Sequence, residues 1–263
     1  KIAVTGDVNT RSASDNFGAS IAMMSDTEIA IGSPRHDYDS NGQSIATDSG
    51  AVMFYTRGAT RWDYQYRINE PVPVASSYFG SDLATNGTTL AIARGEYSYG
   101  YYLNNNNYTA NTFGFHTYTK SNNMWQMNGT YAAAATYPIN SIAIVNDTKV
   151  VAGIPKLSST PTTPTVSNAG GFLTLDLADT AWTITTQSVA PGISFGRQAN
   201  DQFGTQVYMG AGWVAASAPK HGYSSDAMTN ISCRGVAFIF HKDITTGAYV
   251  YEDKLFNTAT TTY

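Results

Sequence analysis

Charged residues are scarce: Asp, Glu, Lys and Arg make up 13% of the 263 positions, about half the share usual in soluble domains. The surface must then be built from Ser, Thr, Asn, Gln and Tyr, a composition of extracellular proteins rather than of cytosolic enzymes. A net charge of −4 provides no basic footprint, which argues against a nucleic-acid partner. Cysteine is all but missing. The lone Cys233 excludes an internal disulfide framework and leaves a free, buried thiol or one available for an intermolecular bridge. No apolar run approaches the roughly 20 residues of a membrane-spanning helix. No leader precedes the strand-like opening Lys1-Ile2-Ala3-Val4, so a secreted form is expected to have lost its signal. Helical periodicity is absent. So are the Gly-x-Ser-x-Gly elbow, the His-Glu-x-x-His zinc motif, the Walker loop and the dinucleotide fingerprint. These absences point away from an enzyme.

A repeat fills the chain instead. Its first copy reads Asn16-Phe17-Gly18-Ala19-Ser20-Ile21-Ala22, a short turn, then Ile29-Ala30-Ile31-Gly32-Ser33-Pro34. The second is Tyr78-Phe79-Gly80-Ser81-Asp82-Leu83-Ala84 with Leu90-Ala91-Ile92-Ala93, and the fourth Gln202-Phe203-Gly204-Thr205-Gln206-Val207 with Trp213 to Pro219. A weaker third copy places Pro138-Ile139 where the others have Phe-Gly, ahead of Ile142 and Val150 to Pro155. The anchors Ile21, Leu83, Ile142 and Val207 are 62, 59 and 65 residues apart. Each copy continues through a polar loop to a β-rich run (Gly50-Ala51-Val52, Phe113-Gly114-Phe115, Gly170-Gly171-Phe172, Gly235-Val236-Ala237) and a last run around Trp62, Trp125, Trp182 or Tyr249. Four short strands per period, with turn residues between them, predict an all-β propeller of four four-stranded blades, over about 15–71, 77–137, 138–195 and 201–257.

Phe-Gly, then Gly32-Ser33-Pro34 or Ser217-Ala218-Pro219, then Gly50-Ala51-Val52-Met53-Phe54-Tyr55, resembles the FG-GAP repeat of integrin α-chain propellers. The resemblance spans about Ser14 to Leu255. It implies a β-propeller on the cell surface that works in adhesion, either closed with four blades or part of a larger ring. Members of that family bind calcium in an Asp-rich loop between the first two strands; here that connection is a tight turn, and those ligands do not carry over.

Candidate site residues fall in the loops between second and third strands, about 35–49, 95–112, 156–169 and 220–234, which a propeller places on one face. Tyr97, Tyr99, Tyr101, Tyr102 and Tyr108, set among asparagines, suit glycan or protein recognition; the alternative is an inter-subunit loop. Arg35-His36 and Lys220-His221 occupy matching places and read as a shared basic spot for acidic glycans, or as a solvated rim. Asp37, Asp39, Asn41 and Asp48 resemble the opening of a calcium loop, against the alternative of a solvated turn. His116 and His241 read as structural. Asn86, Asn107, Asn128, Asn146 and Asn230 are N-glycosylation acceptors, Asn86 and Asn146 in equivalent exposed turns. The expectation is an extracellular glycoprotein that binds a protein or glycan ligand without catalysis. Its alternatives are a structural subunit that binds copies of itself in a filament, coat or appendage, and a polysaccharide-acting propeller enzyme.

Overall fold

The computed structural model describes residues 14–39, 42–95, 113–132, 139–158, 167–189, 200–210, 212–222 and 235–255. Among them there is no helix, and sixteen strands form four antiparallel meanders of four strands each. Module 1 contains β1 (Ile21–Ser25), β2 (Glu28–Ser33), β3 (Ala51–Arg57) and β4 (Trp62–Asn69). Module 2 contains β5 (Leu83–Thr85), β6 (Thr89–Arg94), β7 (Gly114–Ser121) and β8 (Met124–Ala132). Module 3 follows with β9 (Ser141–Asn146), β10 (Lys149–Ile154), β11 (Gly171–Ala178) and β12 (Ala181–Val189), and module 4 with β13 (Val207–Gly210), β14 (Trp213–Ala218), β15 (Val236–Lys242) and β16 (Tyr249–Leu255). These are the four runs per repeat expected from the sequence.

Alternate residues of a strand face opposite sides of its sheet, and the two faces of these modules differ in composition. The face bearing Leu83, Ile142 or Val207, here called the front, is rich in branched and large side chains. The back is small, with Ala and a few Phe. Each front packs on the back of the module before it. Leu83, Leu90, Ile92 and Trp125 cover Ala22, Met24, Ala30 and Phe54; Ile142, Val150, Leu175 and Trp182 cover Ala91, Ala93 and Phe115; Val207, Val214, Phe238 and Phe240 cover Ala143, Val151 and Phe172. Burial of each such large side chain contributes about 1.5–3 kcal/mol, so cohesion lies between modules as much as within them. The first strands line up, β1 on β5, β5 on β9 and β9 on β13; no comparable contact joins β13 to β1 among the described residues.

Two of the interfaces share one backbone zipper. Between modules 1 and 2, the N–H groups of Ser76, Tyr78 and Phe79 donate to the carbonyls of Thr47, Asp48 and Ser49; between modules 3 and 4, those of Asn200, Gln202 and Phe203 donate to Ser167, Asn168 and Ala169. The residue before each Phe is left-handed (Tyr78 φ 50°, Gln202 φ 56°), and the glycine after it has φ 90° at Gly80 and 89° at Gly204. Only glycine adopts that second conformation without strain. This is why the Phe-Gly pair recurs.

Module 3 departs from the expected alignment. Ile139, not Pro138, takes the buried Phe position, and the Asn140 N–H bonds the Gly153 carbonyl as Gly80 bonds Ala93. Ile139-Asn140 is thus the counterpart of Phe-Gly, with one residue fewer before the anchor Ile142. Modules 2 and 3 also differ from separate four-stranded sheets: a parallel bridge between Thr130 and Ala181 joins β8 to β12 into one eight-stranded sheet. Gly129 allows it. The Trp182 indole lies where a Gly129 side chain would be and donates to Thr117 Oγ1 at 2.9 Å.

Asp82 staples the same pair of modules. Its carboxylate accepts the Leu83 N–H at 3.0 Å and the Ile142 N–H at 2.8 Å. Burial nevertheless lifts its pKa to about 6, over the opposing pull of those two bonds. The folded protein therefore holds this proton where the unfolded chain has lost it, and stability falls as pH rises from about 4 to about 6. Urea midpoints at pH 4 and pH 7 are expected to differ between wild type and Asp82→Asn by up to about 3 kcal/mol of pH-dependent stability; parallel pH profiles would contradict this.

Candidate functional site

In a four-stranded meander the first-to-second and third-to-fourth turns lie at one end of the sheet, and the second-to-third connections with the module crossings at the other. The tight turns Asp26-Thr27, Asn86 to Thr88 and Asp147-Thr148 mark the first end. The connections 34–50, 95–113, 155–170 and 219–235 mark the second, and Gly50 and Gly170 run parallel beside Phe79 and Phe203 there. Tyr97, Tyr99, Tyr101, Tyr102 and Tyr108 belong to the second connection of that end and lie outside the described residues, as do Asn41, Asn107, Asn230 and Cys233.

Arg35 and Lys220 stand at this end, both half-buried. Arg35 is not poised for a ligand: its guanidinium grips Asp48 with two bonds of 3.1 and 3.2 Å, which also raises its pKa. His36 and His221 are a correction. Rather than forming a surface basic spot, they are 1% and 0% exposed, with Nδ1 facing Asp15 at 3.2 Å and Asp201 at 2.9 Å. Their carbonyls receive the N–H groups of Gly50 and Gly235, as the carbonyl of Leu157 receives that of Gly170. A buried leucine in the same place in module 3 shows what the position does: it plugs the module beneath the loop. The pairing had a trace in the sequence, since the two modules with His after the Pro are the two with Asp two residues before the Phe.

Of the calcium-loop candidates, Asn41 lies outside the described residues, and the three carboxylates have partners of their own. The Asp48 carboxylate is held by Arg35, Asp37 accepts the Asp48 N–H at 2.6 Å, and Asp39 accepts the Gln43 N–H at 2.9 Å. The three carboxylates brace the loop's own backbone and one arginine instead of converging. No cluster of three His, Cys, Asp or Glu side chains suited to a metal occurs among the described residues.

His116 and His241 meet carboxylates that spacing does not reveal. His116 Nε2 lies 3.2 Å from Glu70 Oε1, which also receives Arg94 Nη1 at 3.2 Å, and Glu70 is fully buried between modules 1 and 2. His241 pairs with Glu252 at 2.8 Å on the surface. The Tyr118 phenol near this triad is pushed up, first by burial and then by the Glu70 charge.

Of the glycan acceptors, Asn128 is half-buried in β8, while Asn86 is exposed in a tight turn and Asn146 exposed at the end of β9 beside one, at the end opposite the long loops. Asn86 Nδ2, Thr88 Oγ1 and Thr89 Oγ1 all donate to Asp147 Oδ1, at 2.9, 2.7 and 2.8 Å. These bonds clip the two turns together and hold the Asp147 carboxyl below its usual range, Thr88 first.

No family model and no curated protein matches the chain. Among solved structures it is similar to the crystal structure of a functionally unknown protein from Desulfotomaculum acetoxidans DSM 771, at 9% identity and a TM-score of 0.43, over 93% of this chain and 71% of that one. A likeness of that degree assigns no function. No helix among the described residues is long and apolar enough to cross a membrane.

Proposed function

We propose that the chain is a non-catalytic, extracellular binding module of FG-GAP type, its four meanders the blades of a propeller and its long-loop end the ligand face. The observation that carries this reading is that the strand ends flanking all four second-to-third connections lie at one end of a stack whose described modules are locked front to back. Such a scaffold holds variable loops at fixed separations, which is what a recognition surface requires. The Tyr- and Asn-rich segment 95–112 supplies stiff, amphipathic contact area suited to a glycan or protein. Glycans on Asn86 and Asn146 would sit at the far end, clear of that face.

The test is binding of the wild-type chain and of a Tyr99→Ala/Tyr101→Ala/Tyr102→Ala variant to a glycan array and to immobilised extracellular-matrix proteins. Wild type is expected to bind at least one of these probes, and the variant to lose ten-fold or more in affinity at unchanged melting temperature. A wild type that binds none of them, or a variant that binds as well as wild type, overturns the reading.

A further inference from the structure

Among the described residues the stack ends in two faces with no module against them, and both differ from their internal counterparts in the same direction. On the front of module 1, Ile21 is 58% exposed, where Leu83, Ile142 and Val207 at the same place are 5–8% exposed. Trp62 is half-buried, whereas Trp125 and Trp182 are 5% and 4% exposed. Phe17 is half-buried, whereas Phe79, Ile139 and Phe203 are fully enclosed. A side chain added at Gly18 would meet nothing within 4 Å; at Gly80 and Gly204 it would strike the preceding module at 2.8 and 2.1 Å.

The back of module 4 shows the complementary defect. Tyr208 is 71% exposed where Ala22 and Ala143 are 7% and 9% exposed, Trp213 is 48% exposed, and Ala215, Ala237 and Ile239 are half-exposed where modules 1 to 3 are closed. Among the described residues, one terminal face is thus a front without a back, and the other a back without a front.

We propose that a second copy of this chain supplies the missing partner, the front of module 1 in one copy docking on the back of module 4 in the next. The proposal rests on the front-to-back stacking alone and not on the ligand assigned to the loops. The three internal interfaces are the template. Trp182 covers Thr117 and Gly129 of module 2, so Trp62 would cover Ile239 and Asp253, the residues at those register positions in module 4. Lys120 on the front of module 2 reaches Glu28 on the back of module 1. The same two positions are Arg57 at one terminal face and Trp213 at the other, a guanidinium facing an indole. Because the two surfaces differ, the contact is heterologous and yields a closed ring or an open filament according to the angle per copy.

The test is sedimentation and light scattering of the chain across micromolar to hundred-micromolar concentrations, with one double variant per face: Ile21→Glu/Met23→Glu and Tyr208→Glu/Trp213→Glu. Wild type is expected to form concentration-dependent oligomers. Each double variant alone stays monomeric with an unaltered melting transition, since all four side chains are exposed. An equimolar mixture of the two keeps one good front and one good back, and gives dimers and nothing larger. Wild type that remains monomeric throughout overturns the proposal. So does either variant that still self-associates, which would indicate a like-on-like contact. Should the Glu pair at 208 and 213 impair folding, Trp213→Lys takes its place and is expected to give the same pattern.

Discussion

Replacing Glu70 by alanine is expected to destabilise the protein by about 3–5 kcal/mol, because it leaves a buried guanidinium and an imidazole without their shared acceptor. Arg94 and His116 both sit in module 2 and reach back to one oxygen of a side chain that follows β4 of module 1. The bonds therefore cross the interface, and their loss weakens the docking of one module on another as well as the local structure. For a chain of this size the melting temperature should drop by roughly 10 °C or more. Glu252→Ala is the matched control. Its His241 pair is 36% and 50% exposed, and such pairs contribute about 1 kcal/mol or less. Equal effects of the two substitutions in a denaturant titration would contradict the assignment of Glu70 as a buried inter-module tie.

The second large effect is expected at Gly153, where an alanine Cβ would sit 2.1 Å from the Gly204 carbonyl oxygen and 3.0 Å from its carbon. Both atoms are backbone, so no flexible side chain can swing aside and the modules must part. The cost is expected to be about 3 kcal/mol or more, at the upper end of overpacking effects. Gly32 stands in the same relation to Gly80 of module 2, at 2.2 Å. Module 2 carries Ala93 at this position, whose carbonyl accepts the Gly80 N–H as that of Gly153 accepts the Asn140 N–H. Gly212→Ala separates crowding from conformation. That residue has φ 82° with nothing within 4 Å of its Cβ, so only the left-handed penalty of about 1–2 kcal/mol applies. If Gly153→Ala proved as mild as Gly212→Ala, the close approach between modules 3 and 4 would be wrong.

The strands were legible because each module repeats the same local signals: a Phe-Gly turn, a run of small residues, a Pro stop and a late aromatic. Local signals do not carry register between modules. The slip at Ile139-Asn140 was hidden because Pro138-Ile139 and Ile139-Asn140 fit the pattern equally badly, and only the hydrogen bond to Gly153 distinguishes them. His36 and His221 were misread for a related reason. A residue just past a strand-ending Pro looks like loop surface, yet the chain turns inward there to meet an Asp from the start of the module. Glu70 gave no warning at all, since its partners lie 24 and 46 positions away and no periodicity links them. The joining of β8 to β12 depended likewise on Gly129 lying under Trp182, 53 residues on.

The front-to-back stacking of modules is tested most directly by nuclear Overhauser contacts from the indole N–H of Trp182, one of four tryptophans. Trp182 belongs to module 3, but its ring is expected to show contacts to Thr117 and to the ring of Phe115 in module 2, 2.9 Å from its nitrogen and 5.5 Å between centroids. An indole whose only contacts lie within module 3, or that exchanges with solvent as fast as a surface tryptophan, would contradict the stack.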